Sequence, residues 1–523
     1  MGTEAQLTEH QLISRNPATG EVLAEFACAS NEDVRRAVER SGAAQPAWAG
    51  LGVRQRCAII GRFQRRLYER KSEVARLISR EAGKPYVEAL STEVLVALDA
   101  ARFCVEQAPV FLRDEPVRHG SLILKAKRGR IVREPHGVIG IISPWNYPLS
   151  IPATEVLAAL VLGNAVVLKP SEFTPMVGRE LVSLLHEAGV PQDVVQAVIG
   201  EGPTGAALLS SPIDKLVFTG SVATGKRVAQ AAAERLLPVV LELGGKDAMI
   251  VLDDADINVA ATAAVWGAFM NAGQTCLSVE RCYVSQKIYA RFLKMVVEKA
   301  EQLRVGNGLD PNTDVGPMIS ERQLHLVESQ VEEARLRGAQ VLTGGRPLAE
   351  TGPNFYAPTV LTGIDHTMSI MREETFGPVL PVMPFDTEER AIELANDSQF
   401  GLAATIWTRN GRRGERIARR IHAGTVMVND VLTCFGTSEA PHGGLKASGI
   451  GRTHGTFGFD EMVRIKYVDT DLLPRLAKPW WHKYGASFAP QLEGMIDLLF
   501  GRGLFSRVRG GVRSLPALWR HRR

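Results

Sequence analysis

The sequence predicts an α/β protein with parallel sheets and more than one domain. Its 523 residues exceed what one hydrophobic core usually serves. From Val138 onward, short β-branched runs alternate with helix-like segments, and a second such stretch runs from about Ala248 to Val431. This alternation favours parallel sheets covered by helices on both faces. The contents of 45% hydrophobic and 23% charged residues are typical of a globular chain.

The N-terminal part of the chain predicts a short β-like stretch and then helices over residues 31–113. Asn31 is a plausible N-cap, and apolar residues then recur at helical spacing. Residues 121–138 alternate on both sides of a glycine turn, so they predict a hairpin of two strands. The hairpin is basic and has two similar faces, so we expect it to be exposed or to pair with another subunit.

The two α/β stretches contain short buried-type strands. The first stretch has them at VIGIISPW, AVVLKPS, VVQAVIG, KLVFTGS and PVVLELGG, and the second at RCYVSQ, QVLTGG, VLPVMPF and TVMVND. The most apolar window, EVLAALVLGNAVVLK, is too short for a membrane span and contains Glu155 and Asn164. We therefore expect no transmembrane helix.

Charge and cysteine content argue against several classes. The net charge is +4, but residues 472–523 carry +8, so the rest of the chain carries −4. A mildly acidic body does not indicate a nucleic-acid-binding protein. The six cysteines make neither a disulfide framework nor a CxxC pair, so we expect reduced thiols and no zinc site. The polar start MGTEAQLTEHQ predicts no secretory signal, which leaves the cytoplasm as the expected location.

The stretch NAGQTCLSVERC, residues 271–282, places Cys276 in a short loop of small residues. A nucleophilic thiol needs access, donors for the oxyanion it creates and a base for a later water step. The Cys276 amide is one donor, and Asn146 in PWNYP follows a strand, where ligands bind in open α/β sheets. Glu242 in LELGGK is expected to be partly desolvated, which raises its pKa toward the range of a general base.

Each of these residues also has a plainer interpretation. A lone cysteine is usually a buried hydrophobe, which is how we interpret the other five cysteines. An asparagine between prolines is usually a turn former, and a glutamate beside two glycines often marks a turn boundary. Only the combination of the three residues indicates chemistry.

Three stretches are candidates for binding a dinucleotide. LKPSEFTP places Lys169 and Glu172 after a strand, where they can contact ribose or phosphate oxygens, and the glutamate would repel a 2′-phosphate. FTGSVATG, residues 218–225, leads into a helix whose N–H groups can meet a phosphate, although a simple tight turn is an equal alternative. GEGPTG, residues 200–205, matches G-x-G-x-x-G but lacks the later acidic residue, so we interpret it as a structural turn near the cofactor.

Taken in order, several motifs resemble the aldehyde dehydrogenase superfamily. The resemblance covers roughly residues 12–470 and rests on PWNYP, LKPSEFTP, FTGSVATG, LELGGK, NAGQTC, EETFGPV and NDSQFGLAATIWT. It implies a Rossmann-like cofactor domain, an α/β catalytic domain and a small β-oligomerisation element that contains the hairpin and the strand VRIKYVDT. It also implies a homodimer or homotetramer. The implied cofactor domain comprises residues 1–120 and 139–243, and the implied catalytic domain comprises residues 244–441. The implied oligomerisation element comprises residues 121–138 and 442–471.

The resemblance also implies a mechanism. Cys276 would attack an aldehyde carbonyl to give a thiohemiacetal, whose oxyanion Asn146 and the Cys276 amide would hold. Loss of hydride to a nicotinamide would leave a thioester, and Glu242 would activate the water that releases the acid. Because relatives that transfer the acyl group to coenzyme A usually lack this glutamate, hydrolysis is favoured. The implied cofactor is NAD, although some relatives with a glutamate at the position of Glu172 also accept NADP.

The residues implied at the cofactor come from five loops. Lys169 and Glu172 would contact the adenosine ribose, and Glu374 the nicotinamide ribose. No metal ligand is implied. The remaining expected residues are Gly220, Ser221 and Gly225 along the pyrophosphate and nicotinamide side, Phe376 against the ring, and Trp145 and Leu243 beside it. For the substrate tunnel, Tyr147 and Phe435 are expected to line the wall.

Residues 472–523 extend beyond the usual end of the family and predict a basic amphipathic tail. Apolar residues alternate with arginines there, and Trp480, Trp481 and Trp519 flank the segment. This pattern suits a peripheral anchor on an anionic membrane, and packing on the protein or a partner subunit is the alternative. The apolar residues of the tail are Leu492, Met495, Ile496, Leu499, Phe500, Leu504 and Phe505.

Two substrate classes stay open: a medium- or long-chain aliphatic aldehyde, and succinate semialdehyde, which needs a cationic recess.

Three other function classes are disfavoured. A thiol hydrolase needs a histidine base, and none of the motif loops contains one. A catalytically silent relative would typically have lost Cys276, Asn146 or Glu242. A metalloenzyme would show ligand spacing such as HExxH, which the eleven histidines do not have.

Overall fold

The computed structural model describes residues 11–121, 124–476, 478, 481, 484–486 and 488–519. The chain divides into two compact units, the first formed by Met1–Arg113 and Glu134–Arg464 and the second by Asp114–Arg133 and Ile465–Arg523. This division differs from the boundaries implied by the resemblance, because it assigns residues 442–464 to the first unit. The implied domain boundaries stay predictions.

The strands and helices follow the predicted alternation. The strands are β1 Gln11–Arg15, β2 Val22–Ala27, β3 Glu115–Val117, β4 Lys127–Pro135, β5 Val138–Ile142, β6 Ala165–Lys169, β7 Val195–Ala197, β8 Lys215–Thr219, β9 Val239–Glu242, β10 Asp247–Val251, β11 Val279–Ser285, β12 Gln340–Thr343, β13 Thr359–Thr362, β14 Val379–Phe385, β15 Ala403–Trp407, β16 Thr425–Val428, β17 Gly449–Ile450 and β18 Val463–Asp471. The helices are α1 Asn31–Gly50, α2 Gly52–Glu69, α3 Lys71–Ala82, α4 Tyr86–Glu88, α5 Leu95–Phe111, α6 Ser150–Val161, α7 Pro175–Glu187, α8 Gly202–Ser210, α9 Val222–Ala233, α10 Ile257–Phe269, α11 Tyr289–Glu301, α12 Glu321–Leu336, α13 Ser369–Arg372, α14 Glu388–Asn396, α15 Gly411–Ala418, α16 Gly455–Glu461, α17 Phe488–Phe500 and α18 Leu504–Trp519.

The N-terminus of α1 differs from the prediction by one residue. The N-cap is Ser30 rather than Asn31, because the Ser30 side chain accepts from the Asp33 amide while the Asp33 carboxylate accepts from the Ser30 amide. This reciprocal capping box satisfies two of the unpaired donors at the helix start. The helical prediction for this part of the chain is otherwise confirmed.

One sheet of the first unit has the order β17-β9-β8-β5-β6-β7 in the described residues, and only β17 is antiparallel to its neighbour. Along β6, Val166 and Leu168 face one hydrophobic core and Ala165 and Val167 face another, so both faces of the sheet are covered, as predicted. The chain leaves β5 toward β6 on one side and later toward β8 on the other. The crevice beside β5 is therefore a topological switch point, where such sheets bind ligands.

A second sheet of the first unit has the order β12-β13-β14-β11-β10-β15-β16 in the described residues. Its strands are parallel except for the edge strand β12. Buried side chains such as Met249, Tyr283 and Phe292 form its core. The Cys276 loop enters β11, and the Glu374 loop enters β14.

The second unit contains β3 and most of β4 and β18, and the hairpin turn predicted within 121–138 is wrong. Gly129 lies inside the continuous strand β4, which pairs antiparallel with β3 and has β18 on its other side. A Cβ at Gly129 would come within 2.7 Å of the Tyr467 ring. The glycine therefore provides room for a neighbouring side chain rather than a turn.

The second unit also contains the helical pair α17 and α18. Small and polar residues lie between the helices: Gly494, Gly510 and Ser514 are buried. A Cβ at Gly494 would lie 2.9 Å from the Gly510 carbonyl oxygen. The apolar side chains instead face outward, including Phe500, which is 76% exposed. In the part of the chain that the structure describes, no helix has the length and apolar content needed to cross a bilayer. Trp480 and the side chain of Trp519 lie outside the described residues.

Candidate active site

The ends of three parallel strands meet around a cavity of about 260 Å³ in the first unit. The loop after β5 contributes Trp145 and Asn146, the loop after β8 contributes Gly220 and Ser221, and β9 ends on Glu242. Further wall residues come from the second sheet and its loops: Leu243, Cys276, Glu374 and Phe376. The structure therefore brings together every predicted site residue except Lys169, Glu172 and Gly225, which do not line this cavity.

The loop that presents Cys276 has an unusual backbone. Asn271, Ala272 and Gly273 all have positive φ angles, of 53°, 55° and 72°. Such a run in non-glycine residues is costly and persists only where its surroundings enforce it. The enforcing contacts include the Asn271 amide, which donates to the Glu88 carboxylate at 2.9 Å. This strained turn leaves the Cys276 side chain partly exposed in the cavity.

The electrostatic surroundings of Cys276 favour its neutral thiol. Burial raises the pKa of the thiol well above its usual value, and the carboxyl groups of Asp247, Glu374 and Glu242 act in the same direction. These surroundings disfavour the thiolate. Activation of the thiol must therefore include removal of its proton.

Asn146 is held rigidly beside this loop. Its side-chain Nδ2 donates to the main-chain carbonyl oxygen of Gln274 at 3.1 Å, and its main-chain carbonyl oxygen accepts from Lys84 Nζ at 2.8 Å. Lys84 also forms a fully buried ion pair of 2.6 Å with Glu93 in the π-helical turn Ala89–Val94. Because Glu93 accepts two backbone amides at the start of α6 as well, the turn between β5 and α6 has little freedom.

Glu242 is buried, and neither of its carboxyl oxygens has a hydrogen-bond partner among the described residues. His442 lies beside it, with Nε2 3.8 Å from Glu242 Oε2. Burial raises the pKa of Glu242 well above its usual value, the negative charge of Glu155 adds to this, and Arg452 opposes it. The predicted direction of the pKa shift is confirmed.

Glu374 and Phe376 are positioned by a second buried ion pair. Lys246 Nζ lies 2.5 Å from Glu280, whose carboxylate accepts from the Phe376 amide at 3.0 Å. This contact supports the positive φ of 52° at Phe376, whose ring meets Trp145 edge-on with centroids 5.4 Å apart. Burial raises the pKa of Glu374 to about 8, and the neighbouring Glu280 contributes.

A larger cavity of about 790 Å³ lies on the outer side of the switch point. Lys169 and Glu172 lie on its wall, with Nζ and Oε2 3.3 Å apart. GEGPTG contributes Gly202 and Gly205 to the same wall, next to the open start of α9, where Ser221 is the N-cap. Gly225 does not line this cavity. It packs against Leu243, and a Cβ at Gly225 would come within 2.4 Å of Leu243 Cδ2.

A third cavity, of about 600 Å³, reaches Cys276 from another side. Its described wall is mostly apolar and includes Leu95, Trp266, Met270 and the predicted tunnel residues Tyr147 and Phe435. Tyr147 is fixed by a hydrogen bond of 2.8 Å between its hydroxyl and Thr275 Oγ1. Cys276 therefore lies where two cavities meet, one at the strand ends with the carboxyl groups of Glu242 and Glu374 on its wall and one at Trp266 and Met270.

Comparison with known proteins agrees with this geometry. The sequence profile of the aldehyde dehydrogenase family matches residues 4–468. The chain belongs to the aldehyde dehydrogenase family. It is 40% identical over 506 residues to a 4,4'-diapolycopene aldehyde oxidase of Methylomonas, covering 96% of this chain and 93% of the relative. It is also 39% identical over 458 residues to the mitochondrial succinate-semialdehyde dehydrogenase of Arabidopsis thaliana, covering 87% and 85%, respectively.

Solved structures show the same fold. The NAD+ complex of an aldehyde dehydrogenase from Bacillus cereus superposes with a TM-score of 0.85 at 36% identity, covering 88% of this chain and 94% of that one. The predicted α/β fold with a Rossmann-like cofactor domain and a catalytic domain is thereby confirmed. The protein is an NAD(P)-dependent aldehyde dehydrogenase that oxidises aldehydes.

Several groups at the site of this aldehyde dehydrogenase carry no recognisable signal in the sequence. His442 and His454 lie on the wall of the first cavity, although no motif loop contains a histidine. In the sequence, Glu155 stands out only as a charged residue within the apolar stretch EVLAALVLGNAVVLK, yet its side chain lines the wall of the first cavity. His442 directly precedes Gly443, at which a Cβ would lie 2.9 Å from Glu242 Oε1, but nothing in the spacing of the sequence indicates that contact.

Proposed function

We propose that this enzyme oxidises long apolar aldehydes to carboxylic acids through a covalent intermediate on Cys276. The observation that carries the proposal is the position of Cys276 between the cavity at the strand ends, which contains Glu242 and Glu374, and the cavity lined by Leu95 and Trp266. The cavity at the strand ends suits a cofactor, and the cavity at Trp266 suits the body of a substrate. The thiol lies where the two ligands would meet.

In this mechanism the Cys276 thiol gives its proton to water as its sulfur adds to the aldehyde carbon, and the product is a thiohemiacetal. The Cys276 amide and Asn146 Nδ2 would donate to the oxyanion, which requires Asn146 to exchange its donation to the Gln274 carbonyl oxygen. After the thioester has formed, Glu242 takes a proton from water, and the resulting hydroxide displaces the sulfur. An unpartnered carboxyl group with a raised pKa suits this role.

The residues of the cavity at the strand ends and of the cavity beside Lys169 fit a nicotinamide dinucleotide. The α9 start offers backbone N–H groups for a phosphate, while Glu172 offers a partly exposed carboxylate for a ribose hydroxyl. When bound, the nicotinamide supplies a hydride acceptor. The residues that would hold the cofactor are Trp145, Lys169, Glu172, Gly220, Ser221, Leu243, Glu374 and Phe376, with Gly225 supporting them through its packing against Leu243. Because Glu172 would repel a 2′-phosphate, we expect a preference for NAD over NADP.

The charges around the apolar cavity support an apolar substrate. In the described wall the only Lys, Arg or His side chain is Arg102. Arg102 already contacts Asp99, Glu106 and Glu439 at 2.8, 2.8 and 2.7 Å. A guanidinium surrounded by three carboxylates is a poor receptor for the distal carboxylate of succinate semialdehyde, which is the alternative substrate.

The share of the chain that matches two relatives also supports an apolar substrate. The match to the Methylomonas 4,4'-diapolycopene aldehyde oxidase leaves only about 20 residues of this chain outside, so most of residues 472–523 lie within it. The match to the Arabidopsis enzyme covers less of the chain. The relative named for a long apolar aldehyde thus resembles this chain over more of its length, including most of the tail.

We further propose that the helical pair α17 and α18 binds peripherally to an anionic membrane on the cytoplasmic side. The pair packs through Gly494, Gly510 and Ser514, which leaves Phe500 and Phe505 76% and 82% exposed. Close helix packing through small residues, with large apolar residues outside, is typical of helices in lipid. The basic charge of the tail suits anionic headgroups, and a homodimer or homotetramer is the expected assembly.

The oxidation is tested by NADH formation with a long-chain aliphatic aldehyde, an aromatic aldehyde and succinate semialdehyde. We expect the highest kcat/KM with the long-chain aldehyde and no turnover in the Cys276→Ala variant. Turnover that survives this substitution would contradict the role of the thiol. A preference for succinate semialdehyde would leave the mechanism intact and reject the substrate class.

The membrane proposal has its own test. Full-length enzyme is mixed with vesicles of anionic lipid at low salt, and the Phe500→Ser/Phe505→Ser variant is compared with Leu236→Ser, which removes a side chain 89% exposed in the first unit. We expect wild type and Leu236→Ser to sediment with the vesicles and the double variant to stay in solution. Equal sedimentation of all three proteins, or of none, would contradict the proposal.

A further inference from the structure

Five buried polar atoms on the wall of the first cavity have no hydrogen-bond partner among the described residues. They are the two carboxyl oxygens of Glu242, Oε2 of Glu155, Nδ1 of His442 and Nε2 of His454. Each unpartnered buried polar group costs about 1–3 kcal/mol. Their concentration around one cavity therefore indicates groups that bind water or exchange protons during the reaction.

The structure connects these groups to one another. Thr219 lies opposite Glu242 in the pairing of β8 with β9 and donates from its Oγ1 to Glu155 Oε1 at 3.2 Å. A small cavity of about 20 Å³ lies behind Glu155 and is also lined by His454, Thr154 and Thr453. A space of this size has room for one water molecule. Glu155 and His454 thus belong to both the cavity at Glu242 and this second space.

Hydrolysis of the thioester creates a proton that must leave this buried site. Water adds to the acyl carbon as the carbon–sulfur bond breaks, and the products are a carboxylate, the Cys276 thiol and one proton. Glu242 takes that proton from the attacking water. A base that keeps its proton cannot act in the next turnover, so a second group must accept it.

We propose that Glu155 and His454 form a relay that receives the proton from Glu242 and carries it away from the thioester. The proposal rests on the function proposed above, and neither residue touches the reacting atoms. His442 lies beside the relay, with its ring centroid 5.7 Å from that of His454 and its Nε2 3.8 Å from Glu242. The proton moves between oxygen and nitrogen atoms through water, with no redox change.

The charges around the relay limit what each group can do. Burial raises the pKa of Glu155 to about 8, so this carboxyl group can exchange a proton near neutral pH, and lowers that of His454 to about 4, so the neutral imidazole can pass a proton on but does not retain it. Glu155 raises the pKa of Glu242, as does Glu461, and Arg452 opposes both. Two neighbouring carboxyl groups with raised pKa values share a proton more readily than they carry two charges.

The test separates formation of the acyl-enzyme from its hydrolysis. A p-nitrophenyl ester acylates Cys276 and releases one equivalent of p-nitrophenolate in a burst, after which steady release reports deacylation. We expect Glu155→Gln to keep the burst and to lower steady release by at least about tenfold. Small carboxylic acid or imidazole buffers should restore the rate, because they can replace the lost proton acceptor. His454→Gln should show the same pattern with a smaller loss.

The matched control is Glu81→Gln, which neutralises another buried carboxyl group whose pKa burial raises to about 7 and which lines neither the cavity at Glu242 nor the space behind Glu155. It should leave burst, steady release and buffer response unchanged. Unchanged steady release in Glu155→Gln, or a loss that no buffer restores, would overturn the relay. An absent burst in wild type, with no acyl group on Cys276 by mass spectrometry, would instead reject the proposed function itself.

Discussion

The first unit contains two kinds of buried charge, and they differ in how completely they are paired. Lys84 with Glu93 and Lys246 with Glu280 are buried ion pairs of 2.6 and 2.5 Å. Each of their carboxylates also accepts two backbone amides from the turn it holds. Glu242 is equally buried but has no such partner among the described residues. The satisfied pairs fix the geometry of the site, whereas the unpartnered groups remain available for proton transfer.

The largest effect is expected on breaking a satisfied pair. Lys84→Met leaves Glu93 charged and buried, so we expect a loss of about 3–5 kcal/mol in unfolding free energy, measured in urea. Activity should fall as well, because Lys84 no longer donates to the Asn146 carbonyl oxygen. As a control, Lys84→Met/Glu93→Gln should recover part of the stability, since an amide oxygen can still accept the backbone amides. A stable single variant would show that the pair is dispensable.

Neutralising the unpartnered carboxyl group should have the opposite signature. Glu242→Gln should fold at least as stably as wild type, because it removes a buried ionisable group without breaking a protein hydrogen bond. Steady turnover should fall by about 10²–10⁴-fold, the usual contribution of a general base. Acyl-enzyme should then accumulate on Cys276, as detected by mass spectrometry of the quenched reaction. A stability loss as large as that of Lys84→Met would remove the distinction between the two kinds of charge.

The location of the site could be predicted because its parts follow strands in recognisable loops. Asn146 and Glu242 follow buried strands, and Cys276 precedes one, so sequence order and the fold class bring them together. Lys84 and Glu93 could not be predicted as partners, since a charged residue in a loop or on a helix is ordinarily solvated. His442 and His454 have no diagnostic spacing either. Their place beside Glu242 depends on a strand, β17, that pairs with β9 from about 200 residues away in sequence.

A smaller, pH-dependent effect is expected at Glu155. Its folded pKa is raised to about 8 from a usual value of 4.5, so between these values the folded state binds more protons than the unfolded state. Stability contributed by this group is therefore present at low pH and is lost as the pH rises toward 8. Glu155→Gln should raise the midpoint of thermal unfolding more at pH 8 than at pH 5. Parallel curves for the two proteins would mean that this carboxyl group titrates normally.

The smallest effect is expected for a pair that is satisfied but exposed. Arg35 contacts Glu32 at 2.7 Å and Glu39 at 2.6 Å, distances that match the buried pairs, yet all three side chains are about half exposed. Water solvates these charges whether or not they are paired, so Arg35→Ala should shift the unfolding midpoint far less than Lys84→Met does. The two variants together separate the effect of pairing from that of burial. If Arg35→Ala were as destabilising as Lys84→Met, the short distances alone would explain the stability of the buried pairs, and the contrast with Glu242 would lose its basis.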